Sequence, residues 1–235
     1  MTGLGVRPIE MASPNQDDRQ GVAVDMLILH YTGMISGRAA LERLCDPAAR
    51  VSAHYTIDED GTSYAHVPEA RRAWHAGVSY WAGAIDINAR SIGIELINPG
   101  HDNGYRPFPE AQIAALIALC HGLLLRHPIS SARVLGHSDV APARKEDPGE
   151  LFPWARLAQA GIGLWPDECL GDREAPLSAD ALPRFGYDPG VPQDRVILAF
   201  QRHFRPRKLD GLWDRECAGI LSGLLAALRP AQSIV

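Results

Sequence analysis

Short apolar runs that end in a polar residue recur through the first two thirds of the chain. They are MLILH at 26–30, SIGIELIN at 91–98 and ARVLGH at 132–137. A continuous apolar run of this length, bounded by turn residues, is typical of a strand buried on both faces. The pattern therefore predicts three buried strands, two of which carry a histidine, His30 or His137, at the C-terminal end.

Helical and hairpin patterns separate these runs. Residues 36–44 are predicted to form a helix that Pro47 stops, and a second helix is predicted from Pro109 to about Arg126. The segment HYTIDEDGTSYAHV at 54–67 alternates around an Asp-Gly turn, which predicts a β-hairpin. The order strand, helix, hairpin, strand, helix, strand indicates an α/β fold, a mixed β-sheet flanked by helices.

The two ends of the chain differ from this part in composition and periodicity. Residues 1 to about 20 are polar and aperiodic, which is typical of an arm or a tail. Residues 165–193 are rich in proline and glycine and are predicted to be a linker between a domain of residues 1–164, with its core at about 20–160, and a small all-α domain of residues 194–235. So small a module buries little core, so we expect it to lean on the larger domain or to act as a lid.

Composition and charge exclude several classes of function. The 235 residues are 46% hydrophobic and 22% charged, with a formal net charge of −5 and no clustered basic patch, so a nucleic-acid partner is not expected. No run approaches the roughly 18 to 20 apolar residues of a transmembrane segment. The first twenty residues lack a signal-peptide pattern, which predicts a cytoplasmic protein; a periplasmic protein whose leader had been removed would read the same. We expect a monomer.

The four cysteines, Cys45, Cys120, Cys169 and Cys217, form no CxxC pair. Their scatter does not resemble a zinc knuckle or a dense disulfide framework. Cys120 lies within the apolar run AALIALCHGLLL, where we expect a buried structural thiol.

The segment GHSDVAPARKEDPG at 136–149 suggests a metal site. His137 ends a predicted strand, and Asp147 lies ten residues later before a Pro-Gly turn. Catalytic zinc commonly has three protein ligands drawn from imidazole and carboxylate groups, with the fourth position left to water, and His30 can supply the second imidazole. Alone, each residue has a plainer interpretation: a structural strand-end histidine, or a turn aspartate. His54, His66 and His75 are rival ligands.

Five segments, in order, resemble one known family. ILHYTG, VSAHYTID, RRAWHAG, SIGIELIN and GHSDVAPARKEDPG look like the N-acetylmuramoyl-L-alanine amidases of the AmpD/AmiD type, the amidase-2 family, over about residues 20–160. That family shares its fold with phage T7 lysozyme and the peptidoglycan recognition proteins. The resemblance implies one Zn²⁺ per chain, held by His30, His137 and Asp147.

The resemblance also implies catalytic roles for Glu95 and Lys145. Glu95 matches the general base, although a solvent-facing strand residue is the plainer interpretation, and Lys145 matches the lysine that stabilises the oxyanion. The phage relative has a tyrosine just before the histidine of VSAHYTID, where this chain has Ala53, so a tyrosine-based variant of the chemistry is not expected and Glu95 gains weight.

The implied reaction is hydrolysis of the amide between N-acetylmuramic acid, including its 1,6-anhydro form, and L-alanine in muropeptides, for cell-wall turnover and recycling. Four residues are expected to contact substrate: Arg144, Trp74, His75 and His54. Two alternatives stay open. The chain could be a recognition protein that binds peptidoglycan without cleaving it, or an amidase that acts mainly on intact wall.

The C-terminal stretch DRVILAFQRHFRPRKLDGLWDRECAGIL at 194–221 resembles a peptidoglycan-binding module through its AFQxxF and LDGxxD segments. It departs from the usual pattern at two positions: Asp214 stands for a glycine, and Cys217 falls near the usual threonine. The resemblance implies a helical fold there and leaves wall binding in question.

Overall fold

A computed structural model describes residues 7–166 and 178–228. The strands are β1 Ile9–Glu10, β2 Gln16–Asp18, β3 Met26–Tyr31, β4 Tyr55–Ile57, β5 Ser63–Ala65, β6 Arg71–Ala73, β7 Ser91–Leu96 and β8 Val134–Gly136. The helices are α1 Gly37–Cys45, α2 Ile87–Arg90, α3 Glu110–Arg126, α4 His137–Val140, α5 Trp154–Gln159, α6 Leu182–Phe185, α7 Gln193–Phe204 and α8 Arg215–Ala227.

Six of the strands form one sheet in the order β1-β5-β4-β7-β3-β8. Strands β4, β7, β3 and β8 are parallel to one another, and β5 runs antiparallel to β4. The register pairs His30 with Glu95 and Leu29 with Gly136, so the carboxyl ends of β3, β7 and β8 share an edge. The predicted mixed α/β fold is confirmed, and its topology brings His30, Glu95 and the start of α4 together.

The predicted strands, hairpin and helices are present, and the part of the N-terminal arm that the structure describes, residues 7–20, packs on the domain. Ser13 Oγ donates to the Leu44 carbonyl at 2.6 Å, and Asn15 Nδ2 donates to the Asp46 and Val51 carbonyls at 2.8 Å. The pattern missed β1, β2 and β6, because these strands have only two or three residues each and little apolar character. Tertiary contacts rather than periodicity fix them.

Each face of the sheet packs into its own core. Leu27 and Leu29 point to the face that α3 covers, where Leu116, Cys120 and Leu123 are buried. Cys120 is therefore the buried thiol that the sequence predicted, whereas Cys169 lies outside the described residues. A parallel strand that is apolar on both faces needs a second covering layer.

The C-terminal helices supply that second layer. Met26 and Ile28 lie in one cluster with Phe200 of α7 and Leu221 of α8. Residues 167–177 of the predicted linker lie outside the described residues, but α6 and Tyr187, from its later part, are buried in the same cluster. The division into residues 1–164, 165–193 and 194–235 stays a prediction; the helical part shares a core with the sheet.

The AFQ and LDG segments pair with each other inside this layer. The buried Gln201 amide donates to Asp210 Oδ1 and the Leu212 carbonyl, both at 2.9 Å, and accepts from the Asp210 and Gly211 amides. Asp214, at the position where a glycine was expected, caps α8 by accepting from the Cys217 amide at 3.0 Å. These residues therefore have structural roles, and wall binding by this part stays a prediction.

The buried Asp139 of α4 ties the helical layer to the sheet. Its carboxylate accepts from the Tyr187 hydroxyl at 2.7 Å and from the Gly136 amide at 2.8 Å, and it lies 2.7 Å from His203 Nδ1. All of these side chains are 2% exposed or less. The residues that follow β8, including His137, are thus held by contacts from the C-terminal part of the chain.

Replacing Tyr187 by phenylalanine should test this connection. The variant leaves one buried oxygen of Asp139 without its donor, and hydrogen bonds to charged groups contribute about 1.5–3 kcal/mol. We expect the free energy of unfolding in urea to fall by that amount, while Tyr64→Phe, at a half-buried position of strand β5, changes it much less. Equal stability of Tyr187→Phe and the wild type would show that the contact does not hold the layers together.

In the described parts of the chain, no helix combines the length and the apolar character that crossing a membrane requires.

Candidate metal centre and active site

Three potential ligand atoms converge at the carboxyl edge of the sheet. His30 Nδ1 lies 3.0 Å from His137 Nδ1 and 2.9 Å from Asp147 Oδ2, and His137 Nδ1 lies 3.1 Å from the same oxygen. All three residues are buried. They form the one group of histidine, cysteine and acidic residues within the described chain that could hold a metal ion in this way. The sequence-predicted ligand set is therefore brought together.

Hydrogen bonds to the outer nitrogens orient both imidazoles toward the centre. His137 Nε2 lies 3.1 Å from the Ala76 carbonyl, which can only accept, and 3.3 Å from Arg144 Nη2, which can only donate. The shorter contact, with the carbonyl, is the one that leaves Nδ1 a lone pair for a cation. His30 Nε2 lies 3.0 Å from His75 Nδ1. Metal-bound histidines generally donate their other ring N–H in this manner.

The protonation states suit a cation. Burial, with the neighbouring His137, lowers the pKa of His30 to about 4, so this imidazole is neutral at pH 7. Burial would raise the pKa of the Asp147 carboxyl, but the charge and hydrogen bonds of His137 and His30 outweigh it and hold that pKa well below its usual value. Two imidazoles and one carboxylate are a donor set that zinc accepts.

The spacing of these atoms also fits zinc. Three lone pairs about 3 Å apart repel one another unless a cation or a proton lies between them. Ligand bonds of 2.0–2.2 Å in a tetrahedron place the ligand atoms about 3.3–3.6 Å from one another. The observed separations of 2.9–3.1 Å are a few tenths of an ångström shorter, so a small outward movement of the three side chains would let them hold such an ion.

Glu95 presents a carboxylate beside this centre. Its Oε2 is buried and has no hydrogen-bond partner among the described residues. Burial and, secondly, the charge of Asp147 raise the pKa of Glu95 well above 4.5, while the charge of Lys145 opposes the shift. A buried carboxylate oxygen without a partner is costly for the fold, which makes the half-buried Glu95 a candidate for a chemical role.

A cavity of about 430 Å³ opens over these groups. The sequence-predicted residues that line it are His30, Trp74, His75, Glu95, His137, Arg144, Lys145 and Asp147. Residues 31–34 and the acidic side chains of Asp102 and Glu146 complete part of its wall. The volume is in the range of small-ligand sites.

Arg144 and Trp74 line the cavity with some of their donors already used. Arg144 Nε donates to the Val78 carbonyl at 2.9 Å, and its Nη2 contacts the Ala76 carbonyl. Trp74 Nε1 donates to Asp17 Oδ2 at 2.7 Å. Their contact with substrate stays a prediction. This geometry leaves the indole ring of Trp74 and the remaining guanidinium nitrogen of Arg144 available for it.

His54 and His66 are not among the residues that line the cavity. His54 is fully buried, its Nδ1 accepts from the Gly93 amide at 2.9 Å, and its Nε2 lies 3.1 Å from the Arg71 carbonyl. His66 bonds the Met11 carbonyl and the Thr56 hydroxyl. As rival metal ligands both are excluded by position. The predicted substrate contact of His54 stays a prediction for which this structure offers no exposed atom.

Sequence reasoning missed the residues that support the site from behind, among them Ser91, Gly93 and Asn88. Ser91 Oγ lies 3.1 Å from His75 Nε2, and Asn88 Oδ1 accepts from the His75 amide at 3.1 Å. The alternation of β7 places residues 91, 93 and 95 on one face, so Ser91 and Gly93 could have been predicted to lie on the same side of the strand as Glu95. Asn88 lies in α2, which at four residues is too short to show a periodic pattern.

Comparison with known proteins gives relatives over most of the chain. The family profile described as N-acetylmuramoyl-L-alanine amidase matches residues 20–150. N-acetylmuramoyl-L-alanine amidase AmiD of Escherichia coli strain K12 is 40% identical over 230 residues, covering 86% of this chain and 82% of that protein. The 1,6-anhydro-N-acetylmuramyl-L-alanine amidase AmpD of Enterobacter cloacae is 44% identical over 107 residues, covering 46% of this chain and 55% of that protein.

Solved structures agree with the sequence relatives. The complex of E. coli AmiD with anhydro-N-acetylmuramic acid-L-Ala-D-γ-Glu-L-Lys superposes with a TM-score of 0.80 at 38% identity, covering 94% of this chain and 93% of that one. AmpDh3 of Pseudomonas aeruginosa gives the same TM-score at 34% identity, covering 97% and 98%. Fold, matched residues and identity agree: the chain belongs to the amidase-2 family of N-acetylmuramoyl-L-alanine amidases.

Proposed function

We propose that this chain is a zinc-dependent amidase that hydrolyses the bond between the lactyl group of N-acetylmuramic acid and L-alanine. The observation that carries the proposal is the convergence of His30, His137 and Asp147 beside Glu95, whose buried Oε2 has no hydrogen-bond partner among the described residues. A free carboxylate oxygen beside a metal site suits proton transfer, which a pure binding protein does not need. Family membership supplies the bond that such a site would cut.

His30, His137 and Asp147 would hold the zinc ion, which when bound polarises the amide carbonyl and lowers the pKa of water toward 7. Glu95 is placed to accept the proton of the attacking water and to return it to the leaving amine of L-alanine. Lys145 lines the same cavity and supplies a compact positive charge for the oxyanion.

We propose that the 1,6-anhydro form of the muropeptide is a substrate. Two structures that superpose on this chain contain such a ligand: E. coli AmiD with an anhydro-muramoyl tripeptide, and P. aeruginosa AmpDh3 with anhydromuramic pentapeptide. The cavity of about 430 Å³ is in the size range of small-ligand sites, and the lactyl-alanine region would bind in it, next to the proposed metal ligands. A recycling role follows from that substrate.

The experiment that tests the proposal incubates the purified protein with an anhydro-muropeptide and, separately, with whole sacculi. Products are separated by chromatography and identified by mass. We expect free peptide with an L-alanine N-terminus, no product after the metal is removed with a chelator, and recovery on adding zinc. Tight binding of the muropeptide without cleavage, in zinc-loaded and metal-free protein alike, would show a recognition protein instead. Exclusive cleavage of sacculi would overturn the substrate assignment alone.

Replacing Lys145 by methionine should slow turnover without removing the metal. Loss of one group that stabilises an oxyanion costs about 10²–10³ in kcat, whereas the ligands and Glu95 are untouched. We expect that fall in kcat, a much smaller change in KM, and a normal zinc content by metal analysis. Lys208→Met, at an exposed lysine that pairs with Asp210, is the matched control. A wild-type kcat for Lys145→Met would remove this lysine from the mechanism.

A further inference from the structure

A chain of hydrogen bonds runs from the candidate metal centre into the sheet behind it. Ser91 Oγ donates to the Ile87 carbonyl at 2.7 Å and lies 3.1 Å from His75 Nε2. His75 Nδ1 in turn lies 3.0 Å from His30 Nε2. His75 and Ser91 are both buried.

The direction of each bond in this chain is determined. Since the single hydroxyl proton of Ser91 is directed to a carbonyl, Ser91 Oγ can only accept from His75, so His75 carries its proton on Nε2. With its proton on Nε2, His75 presents the lone pair of Nδ1 to His30 Nε2, 3.0 Å away. That lone pair accepts the Nε2 proton of His30, which leaves His30 Nδ1 free to bind a cation.

From this geometry we infer that His75 and Ser91 are positioning residues that hold His30 in the tautomer and ring orientation required for the metal. The inference rests on the proposed zinc site and goes beyond it, because it assigns His75 to the support of a ligand rather than to the substrate. His75 touches the metal centre only through His30. Its ring stands nearly perpendicular to that of His30, at an interplanar angle of 80°.

The surroundings of His75 are shaped for this contact. A Cβ on Gly93 would lie 2.4 Å from the His75 ring, so the strand leaves room for the ring only because residue 93 is glycine. Asn88 Oδ1 accepts from the His75 amide at 3.1 Å and from the Ala76 amide at 2.7 Å. The backbone is therefore held independently of the imidazole, and a side-chain substitution tests the hydrogen bond rather than the loop.

The experiment measures zinc affinity, by competition with a chromogenic chelator, in His75→Phe, His75→Asn, Ser91→Ala and the wild type. Changes behind a ligand typically cost 10- to 100-fold in metal affinity. We expect that loss in His75→Phe, which keeps a ring but removes the acceptor, and a smaller loss in Ser91→Ala. His75→Asn places an acceptor near the position of Nδ1 and should recover most of the affinity. His66→Phe removes an equally buried, hydrogen-bonded histidine outside the cavity and should bind zinc as the wild type does.

Nitrogen-15 NMR of the zinc-loaded protein provides a second readout. We expect His30 to show a protonated Nε2 in the wild type and faster exchange of that proton in Ser91→Ala, which tests the inference even if His75→Phe does not fold. Unchanged zinc affinity and unchanged exchange in these variants would overturn it. So would an equal loss of affinity in His66→Phe, since that would indicate general destabilisation. A wild-type protein that binds no zinc would instead overturn the proposed function.

Discussion

Replacing Asp147 by asparagine is expected to abolish both zinc binding and amide hydrolysis. The amide keeps the size of the side chain but removes the only negative charge among the three proposed ligands. Since changes behind a ligand already cost 10- to 100-fold in metal affinity, loss of the charged ligand should cost more than about 100-fold. Activity at micromolar zinc should then fall below detection.

Thermal unfolding with and without zinc measures the same loss independently of activity. A ligand that binds only the folded state at 100 times its Kd stabilises that state by about 2.7 kcal/mol. We expect such a zinc-dependent rise in Tm for the wild type and none for Asp147→Asn. Asp102→Asn changes another acidic side chain of the same cavity and should keep the full rise. A zinc-dependent Tm that survives in Asp147→Asn would exclude this carboxylate as a ligand.

The parts of the fold that periodicity controls could be predicted from the sequence. The apolar runs around His30 and His137 became parallel strands β3 and β8, and the long apolar segment before Arg126 became α3. Many residues of these elements are buried, and because buried positions are apolar, the hydrophobic pattern along the sequence is clear. Strands β1, β2 and β6 are short and polar, and only their pairing partners fix them.

No local sequence pattern predicts how the C-terminal helices pack on the sheet. The sequence shows that α7 has an apolar face and that β3 is apolar throughout, but nothing in either segment predicts that Phe200 and Ile28 lie in the same core. The same holds for the contact of Tyr187 with Asp139, which are 48 residues apart. Such contacts follow from the closure of the whole core.

The candidate site was predictable to the extent that its residues terminate strands. Parallel strands bring their carboxyl ends to one edge, so His30, Glu95 and His137 had to be near one another once β3, β7 and β8 were adjacent. Asp147 lies on a loop; its position before the Pro-Gly turn made it a candidate ligand, and the family resemblance assigned it to the site. The hydrogen-bond direction that makes His75 a support for His30 needs coordinates, because it depends on the position of a serine hydroxyl. The expected cytoplasmic location and monomeric state stay predictions.

Replacing Glu95 by glutamine should leave the metal bound and remove most of the catalysis. The amide preserves the shape of the side chain but cannot accept the proton of the attacking water, and general-base catalysis contributes about 10²–10⁴ in rate. We expect kcat to fall by that factor while zinc affinity stays within a few-fold of the wild type. Glu146→Gln alters another carboxylate that lines the cavity and should keep kcat within a few-fold.

The pH profile of kcat distinguishes a general base from a residue that only shapes the cavity. Burial and the charge of Asp147 raise the pKa of Glu95 above 4.5, although a bound cation would oppose that shift. A base works in its ionised form, so activity is lost as the pH falls through the pKa of this carboxyl, and the profile of the wild type should show an acidic limb. In Glu95→Gln most of kcat is lost, and the residual activity should not show the acidic limb due to this carboxyl. If the variant were slow but kept the wild-type limb, another group would be accepting the proton, and Glu95 would act on the orientation of the substrate rather than on the proton.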